Sequence, residues 1–204
     1  MSVLEFFNKG GLCMWPILLC SVLMLAIVAE RLIRYGRLRL GDAELAEAVA
    51  RSMAAGEREA AVAAAAGDGS PLGRVLAEAA GVANGDRETM ETVLLDAQEA
   101  EVRELERYLP ALAAIGNIAP LLGLLGTVTG MIKAFMVIQE MGGKVNAVVL
   151  AGGIWEAMLT TAFGLMVALP TMAAHSYLSA RVERFHAQLQ GGVVTFVKTM
   201  NHVR

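Results

Sequence analysis

The sequence predicts an all-α membrane protein: three transmembrane helices, with long helices extending into a cytoplasmic helical domain. Three observations predict it. The 204-residue chain is 56% hydrophobic and only 18% charged, more apolar than a soluble domain of this length requires. The apolar residues gather in three runs that reach the roughly 18 to 20 residues a bilayer crossing needs. Arginines cluster at the ends of those runs, and threading the chain back and forth puts every cluster on one side. A formal net charge of −3 lacks the basic footprint of a nucleic-acid binder. No phosphate loop, metal-ligand spacing or nucleophile elbow occurs, and the three histidines are scattered. The expectation is therefore no enzyme, no cofactor, no metal and no nucleic-acid partner, with membrane lipids as the surroundings.

Residues 1–11 read as an interfacial N-terminus and residues 12–30 as the first span. Its apolar run, Leu12 to Ala29, closes on Glu30 and Arg31, followed by Arg34, Arg37 and Arg39. A secretory signal carries its basic residues before the apolar run; here the order is reversed. The arginines thus read as a cytoplasmic flank, which puts the N-terminus outside and Trp15 and Pro16 near the outer interface. Cys20 follows Leu19, where a lipoprotein site needs a small residue. Cys13 and Cys20 are about 10 Å apart along a helix, beyond the roughly 7 Å a disulfide spans, and read as buried thiols.

Residues 31–108 form the cytoplasmic helical domain, rich in the helix formers Ala, Glu and Arg. Gly67 to Pro71 interrupts it, with Ser70 as N-cap and Pro71 at the first helical position. Asn84-Gly85-Asp86 is a second break, with Asp86 capping a long helix that runs into the second span. From Asp42 to Arg107 there are 15 acidic and 6 basic residues, a net of −9. That excess is either a solvated face or an acidic vestibule that concentrates cations. The second span covers 109–139 and the third 148–178. Loop 140–147, with Gly142-Gly143-Lys144, joins them outside, and 179–204 form a C-terminal cytoplasmic helix. Arg103 and Arg107 precede the second span and Arg181 and Arg184 follow the third, on the same side as the first cluster.

Glu156 is the most informative residue, because a carboxylate in a spanning helix costs a few kcal/mol and is a functional-site hypothesis by default. Lys133 is similarly out of place, though a lone lysine can snorkel to the interface. In an antiparallel hairpin, residues at equal depth have position numbers with a nearly constant sum. Lys133 with Glu156, Thr127 with Thr161, and Pro120 with Pro170 all centre the turn near 144 to 145, where the glycine pair lies. Straight helices would thus make Lys133 and Glu156 a buried ion pair and put Thr127 and Thr161 in one layer. Pro120 and Pro170 are candidate kinks. Gly116, Ala119, Gly123, Gly126 and Gly130 form a small-residue seam on the second span. Ala157, Thr161, Gly164 and Ala168 form one on the third, the kind of surface that lets membrane helices approach closely. A lone membrane threonine usually bonds its own backbone. Glu156 shares its helical face with Thr160, not with Thr161.

Two stretches then resemble a known family. They are Ala119-Pro120-Leu121-Leu122-Gly123-Leu124-Leu125-Gly126-Thr127-Val128 with Gly130, and Ile154-Trp155-Glu156-Ala157-Met158-Leu159-Thr160-Thr161-Ala162-Phe163-Gly164-Leu165 ending in Leu169-Pro170. Together they resemble the paired signatures of the MotA/TolQ/ExbB proton-channel family. Glu5-Phe6-Phe7-Asn8-Lys9-Gly10-Gly11 through Met14-Trp15-Pro16 to Glu30-Arg31-Leu32, and Ser70-Pro71-Leu72-Gly73, resemble the ExbB branch in particular. The resemblance implies a homopentameric subunit of a bacterial inner-membrane motor. Its pore encloses the single spanning helices of an ExbD- or TolR-like partner bearing an intramembrane Asp. It also implies that Thr127, Thr161 and Glu156 line the proton pathway, and that proton flow serves a TonB-like protein and outer-membrane transport. Two positions depart from the family pattern: Thr129 replaces a common aromatic, and Lys133 stands where a neutral polar residue or His is usual. A fixed cation repels protons unless paired, so Glu156 is either a proton carrier or the counter-ion of Lys133. A TolQ-like subunit for envelope maintenance and a non-conducting membrane scaffold remain the alternatives.

Overall fold

The computed structural model describes residues 11–82, 87–141 and 147–202. Among them are seven helices and no strand: α1 (Met14–Arg37), α2 (Ala43–Ala54), α3 (Arg58–Asp68), α4 (Pro71–Val82), α5 (Arg87–Glu106), α6 (Leu109–Glu140) and α7 (Ala147–His202). The expected cap at Asp86 and turn at Gly142-Gly143-Lys144 lie outside the described residues. Three helices are long and apolar enough to cross a membrane: α1, the helical stretch that includes α6, and α7. The 32 residues of α6 extend about 48 Å, more than the roughly 30 Å of a hydrocarbon core. The chain divides into two compact units, Met1–Leu32 with Tyr108–Tyr177, and Ile33–Arg107 with Leu178–Arg204.

In the first unit, α6 and α7 meet along a seam of small residues. Gly116, Ala119, Gly123, Gly126, Gly130 and Ala134 are buried on α6, spaced by three or four so that they share one face. Without a hydrophobic drive between helices in lipid, close backbone approach supplies the attraction. Outside the seam, α6 exposes Leu121, Leu124, Leu125, Val128, Ile132 and Phe135, side chains suited to hydrocarbon. On α1 the buried Ile17, Met24 and Arg31 recur every seven residues, while Leu19, Val22, Leu23 and Leu25 are exposed. Helix continues through both Pro120 and Pro170. Each proline lacks the N–H that would bond the carbonyl four residues earlier. Tyr108, just before α6, adopts a left-handed φ of 70°, and Arg31 stacks on its ring at 5.1 Å.

In the second unit, α2 to α5 and the C-terminal part of α7 enclose an alanine-rich core. Ala46, Val49, Ala61, Ala65, Leu76, Leu94 and Phe196 are among its buried residues. The sequence sets the helix ends. Asp42 accepts from Leu45 N at 3.1 Å to open α2. Ser70 Oγ accepts from Gly73 N at 3.0 Å, and Pro71 is the first residue of α4. Arg58 donates to the carbonyls of Ala80 and Gly81 at the end of α4. Gly192 of α7 gives space to Leu72, whose Cδ2 lies 2.6 Å from where a Cβ would stand. Arg74 forms a two-pronged bond to Glu101, 2.6 Å on each arm, and Tyr35 donates to Leu105 O at 2.5 Å. Arginines offset part of the acid excess, with Arg34 2.7 Å from Glu104 and Arg103 3.2 Å from Glu99.

Candidate functional site

The polar groups singled out in the second and third spans sit on the α6–α7 hairpin, and the seam decides how they face. A Cβ on Gly164 would stand 2.6 Å from Ala119 O, and one on Gly123 would stand 3.0 Å from both Thr160 O and Thr161 Cα. A Cβ on Gly130 would meet Gly153 O at 3.1 Å and Ala157 Cβ at 3.3 Å. A Cβ on Gly116 would stand 3.0 Å from Met172 Cγ, and one on Gly126 would run into the Thr160 side chain. These glycines are therefore the contact itself. The facing pairs Gly123 with Gly164, Gly126 with Thr160, Gly130 with Ala157 and Ala134 with Gly153 have midpoints between 143 and 144. That is about one position earlier than the register drawn from the polar pairs.

The shift changes the threonine layer. Thr160, fully buried, fills the seam position expected for Thr161. Its hydroxyl donates to the carbonyls of Ala157 at 2.8 Å and Glu156 at 3.2 Å. Thr161 is half-buried beside it and donates across the hairpin to Gly123 O at 3.0 Å. Thr127 donates to Leu124 O of its own helix at 2.6 Å. The hydroxyls of Thr127 and Thr161 thus engage different backbone carbonyls, and a glycine fills the layer opposite Thr161.

Lys133 Nζ lies 2.7 Å from Glu156 Oε1. The pair does not have the burial expected for it: the Lys133 side chain is 56% exposed and that of Glu156 22%. Ala134 and Ala157, their neighbours in sequence, occupy the seam, so the charged residues straddle its edge. Gly153 and Ala134 are not singled out by the sequence, and Thr160 and Gly11 enter there with no part in the hairpin contact. Continuing the three-and-four spacing back from Ala157 would have found Gly153, and the shared face of Glu156 and Thr160 pointed to the latter. Arg31, in the arginine cluster read as a cytoplasmic flank, is 0% exposed and bonds Glu30 Oε2 at 2.5 Å.

Comparison with known proteins adds to this geometry. A profile of the MotA/TolQ/ExbB proton channel family matches residues 50–191. The chain is 34% identical to a putative biopolymer transport protein, ExbB-like 1, of Synechocystis sp., over 82% of this chain and 66% of that one. It is 32% identical to the biopolymer transport protein exbB1 of Vibrio cholerae, over 93% of this chain and 84% of that one. A Tol-Pal system protein TolQ of Haemophilus influenzae is 40% identical over 42% of this chain and 37% of its own length. The chain thus spans slightly under two thirds of the Synechocystis relative and most of the Vibrio one. With three helices fit to cross a membrane and the family profile covering most of its length, the chain belongs to the MotA/TolQ/ExbB proton channel family.

Proposed function

We propose that the chain is an ExbB-like subunit of a proton-motive-force-driven motor in the bacterial inner membrane. It assembles as a homopentamer around the single spanning helices of an ExbD- or TolR-like partner that carries an intramembrane aspartate. The assembly energises a TonB-like protein and, through it, outer-membrane transport. The N-terminus is periplasmic and the C-terminus cytoplasmic, since Arg34, Arg37, Arg103, Arg107, Arg181 and Arg184 flank the spans on one side. Thr127, Thr161 and Glu156 line the proton path.

The observation that carries this reading is the placement of all three on one hairpin, within the region matched by the family profile, while glycines hold the hairpin shut. Both threonine hydroxyls donate to backbone carbonyls, so toward a lumen their oxygens offer lone pairs. They accept hydrogen bonds from a proton-carrying water or the partner's acid, and Glu156, held by Lys133 at 2.7 Å, lines the same path. The test is proton flux into liposomes holding this chain and its single-span partner. Thr127→Val and Thr161→Val are expected to lower flux, and unchanged flux in both overturns the path. Absence of flux from the unsubstituted pair favours a non-conducting scaffold. The TolQ relative supports a second reading, a TolQ-like subunit for envelope maintenance. Rescue of envelope integrity without rescue of TonB-linked uptake selects it.

A further inference from the structure

The Lys133–Glu156 pair meets a third segment, the residues leading into α1. Gly11 has a φ of 70°. A Cβ added there would collide with Glu156 Oε1 and stand 3.4 Å from Lys133 Nζ. The same carboxylate oxygen accepts from Lys133 at 2.7 Å, so it lies between an ammonium from α6 and the backbone approaching the first span. Two requirements coincide at Gly11. A left-handed φ is strained for any residue with a Cβ, and the carboxylate leaves no space for one. Met14 N donates to Gly11 O at 3.2 Å, and Met14 and Ile17 are almost fully buried. Met24 and Arg31 continue this buried stripe, while Leu19, Val22, Leu23 and Leu25 are exposed on the other faces of α1. The contact at Gly11 opens that line of packing.

We propose that Lys133 and Glu156 form a clasp that docks the start of α1 onto the α6–α7 hairpin, with Gly11 as the residue shaped to fit it. The clasp does not depend on the proton-path reading; it needs only the ion pair and the fit, and it operates equally in a subunit that conducts nothing. Lys133→Met leaves Glu156 unpaired near the bilayer, where it turns toward water and withdraws the wall against which Gly11 rests. Glu156→Ala removes that wall outright.

The test is amide hydrogen exchange on the full chain in lipid nanodiscs. Lys133→Met and Glu156→Ala are each expected to speed exchange at Met14 by about three- to tenfold, with α2 unchanged. An unaltered rate at Met14 in both variants, or a uniform rise throughout the chain, overturns the clasp. Thermal unfolding gives a second measure that separates fit from simple backbone strain. Gly11→Ala is expected to lower the unfolding midpoint more in the wild-type background than in Lys133→Ala/Glu156→Ala, where the methyl group has room. Equal losses in the two backgrounds overturn the role given to Gly11.

Discussion

Thr161 donates across the hairpin to Gly123, whereas Thr127 and Thr160 donate within their own helices, so loss of each hydroxyl has a different effect. Thr161→Val removes an interhelical bond and is expected to lower hairpin stability by about 0.5–1.7 kcal/mol. Thr127→Val leaves Leu124 O its helical partner and is expected to change stability by less than about 0.5 kcal/mol. Reversible unfolding in mixed micelles measures both. The contrast matters because the proposed path predicts that both variants lose flux while only one loses stability. Gly164→Ala drives a methyl group toward a backbone carbonyl that cannot rotate away, for an expected loss of about 1–3 kcal/mol. Gly152→Ala meets no atom within 4 Å and is expected to be neutral or to stabilise the helix by up to about 1 kcal/mol. The sequence made the glycine seam readable because spacing alone puts those residues on one face. It did not separate Thr160 from Thr161, since adjacent residues differ by about 100° around a helix and only the partner's position sets the phase. Nor did it reveal Gly11, whose contact joins segments more than a hundred positions apart.

Helix ends were the most readable elements, because capping is local: Ser70 and Pro71 start α4 as their chemistry requires. The contacts that tie one helix to another were not. Tyr35 of α1 donates to Leu105 O of α5 at 2.5 Å, with its ring edge-on to Phe185 of α7 at 5.6 Å. Nothing within α1 signals this, since the partners lie 70 and 150 positions away. Tyr35→Phe is expected to cost about 0.5–1.5 kcal/mol, the net contribution of one lost hydrogen bond, read from the midpoint of chemical unfolding. Between α4 and α5, the hydrogen bond to Glu101 raises the pKa of Arg74 above its ordinary value, with burial opposing and the carboxylate charge adding to the rise. A raised pKa on a cation gives stability that is complete below its unfolded value and lost only as pH climbs through the folded one. Titration of Arg74 therefore leaves the pair intact across the physiological range. Because Arg74 is half-exposed, a double-mutant cycle of Arg74→Met and Glu101→Gln is expected to give no more than about 1 kcal/mol of coupling.

For the whole molecule, the three spans were plain in the sequence because hydropathy is cumulative and tolerates errors in any one residue. The fate of individual charges was not, as the burial of Arg31 and the exposure of Lys133 attest: average polarity predicts a segment, whereas a single side chain follows its neighbours. The proposed orientation gives a direct check. Green fluorescent protein fused after Arg204 is expected to fluoresce and alkaline phosphatase there to stay inactive, and the opposite pattern reverses the topology. The seam has a final consequence in the genetic code. Every single-base change that replaces a glycine adds at least a Cβ, and at Gly123 and Gly164 that atom meets main chain. These positions thus have no conservative neighbour in sequence space, while the outer face of α6, with Leu121, Leu124 and Val128 exposed, can exchange one aliphatic for another. Divergence among functional variants of this chain is expected to accumulate on that outer face and leave the line between the two helices nearly unchanged.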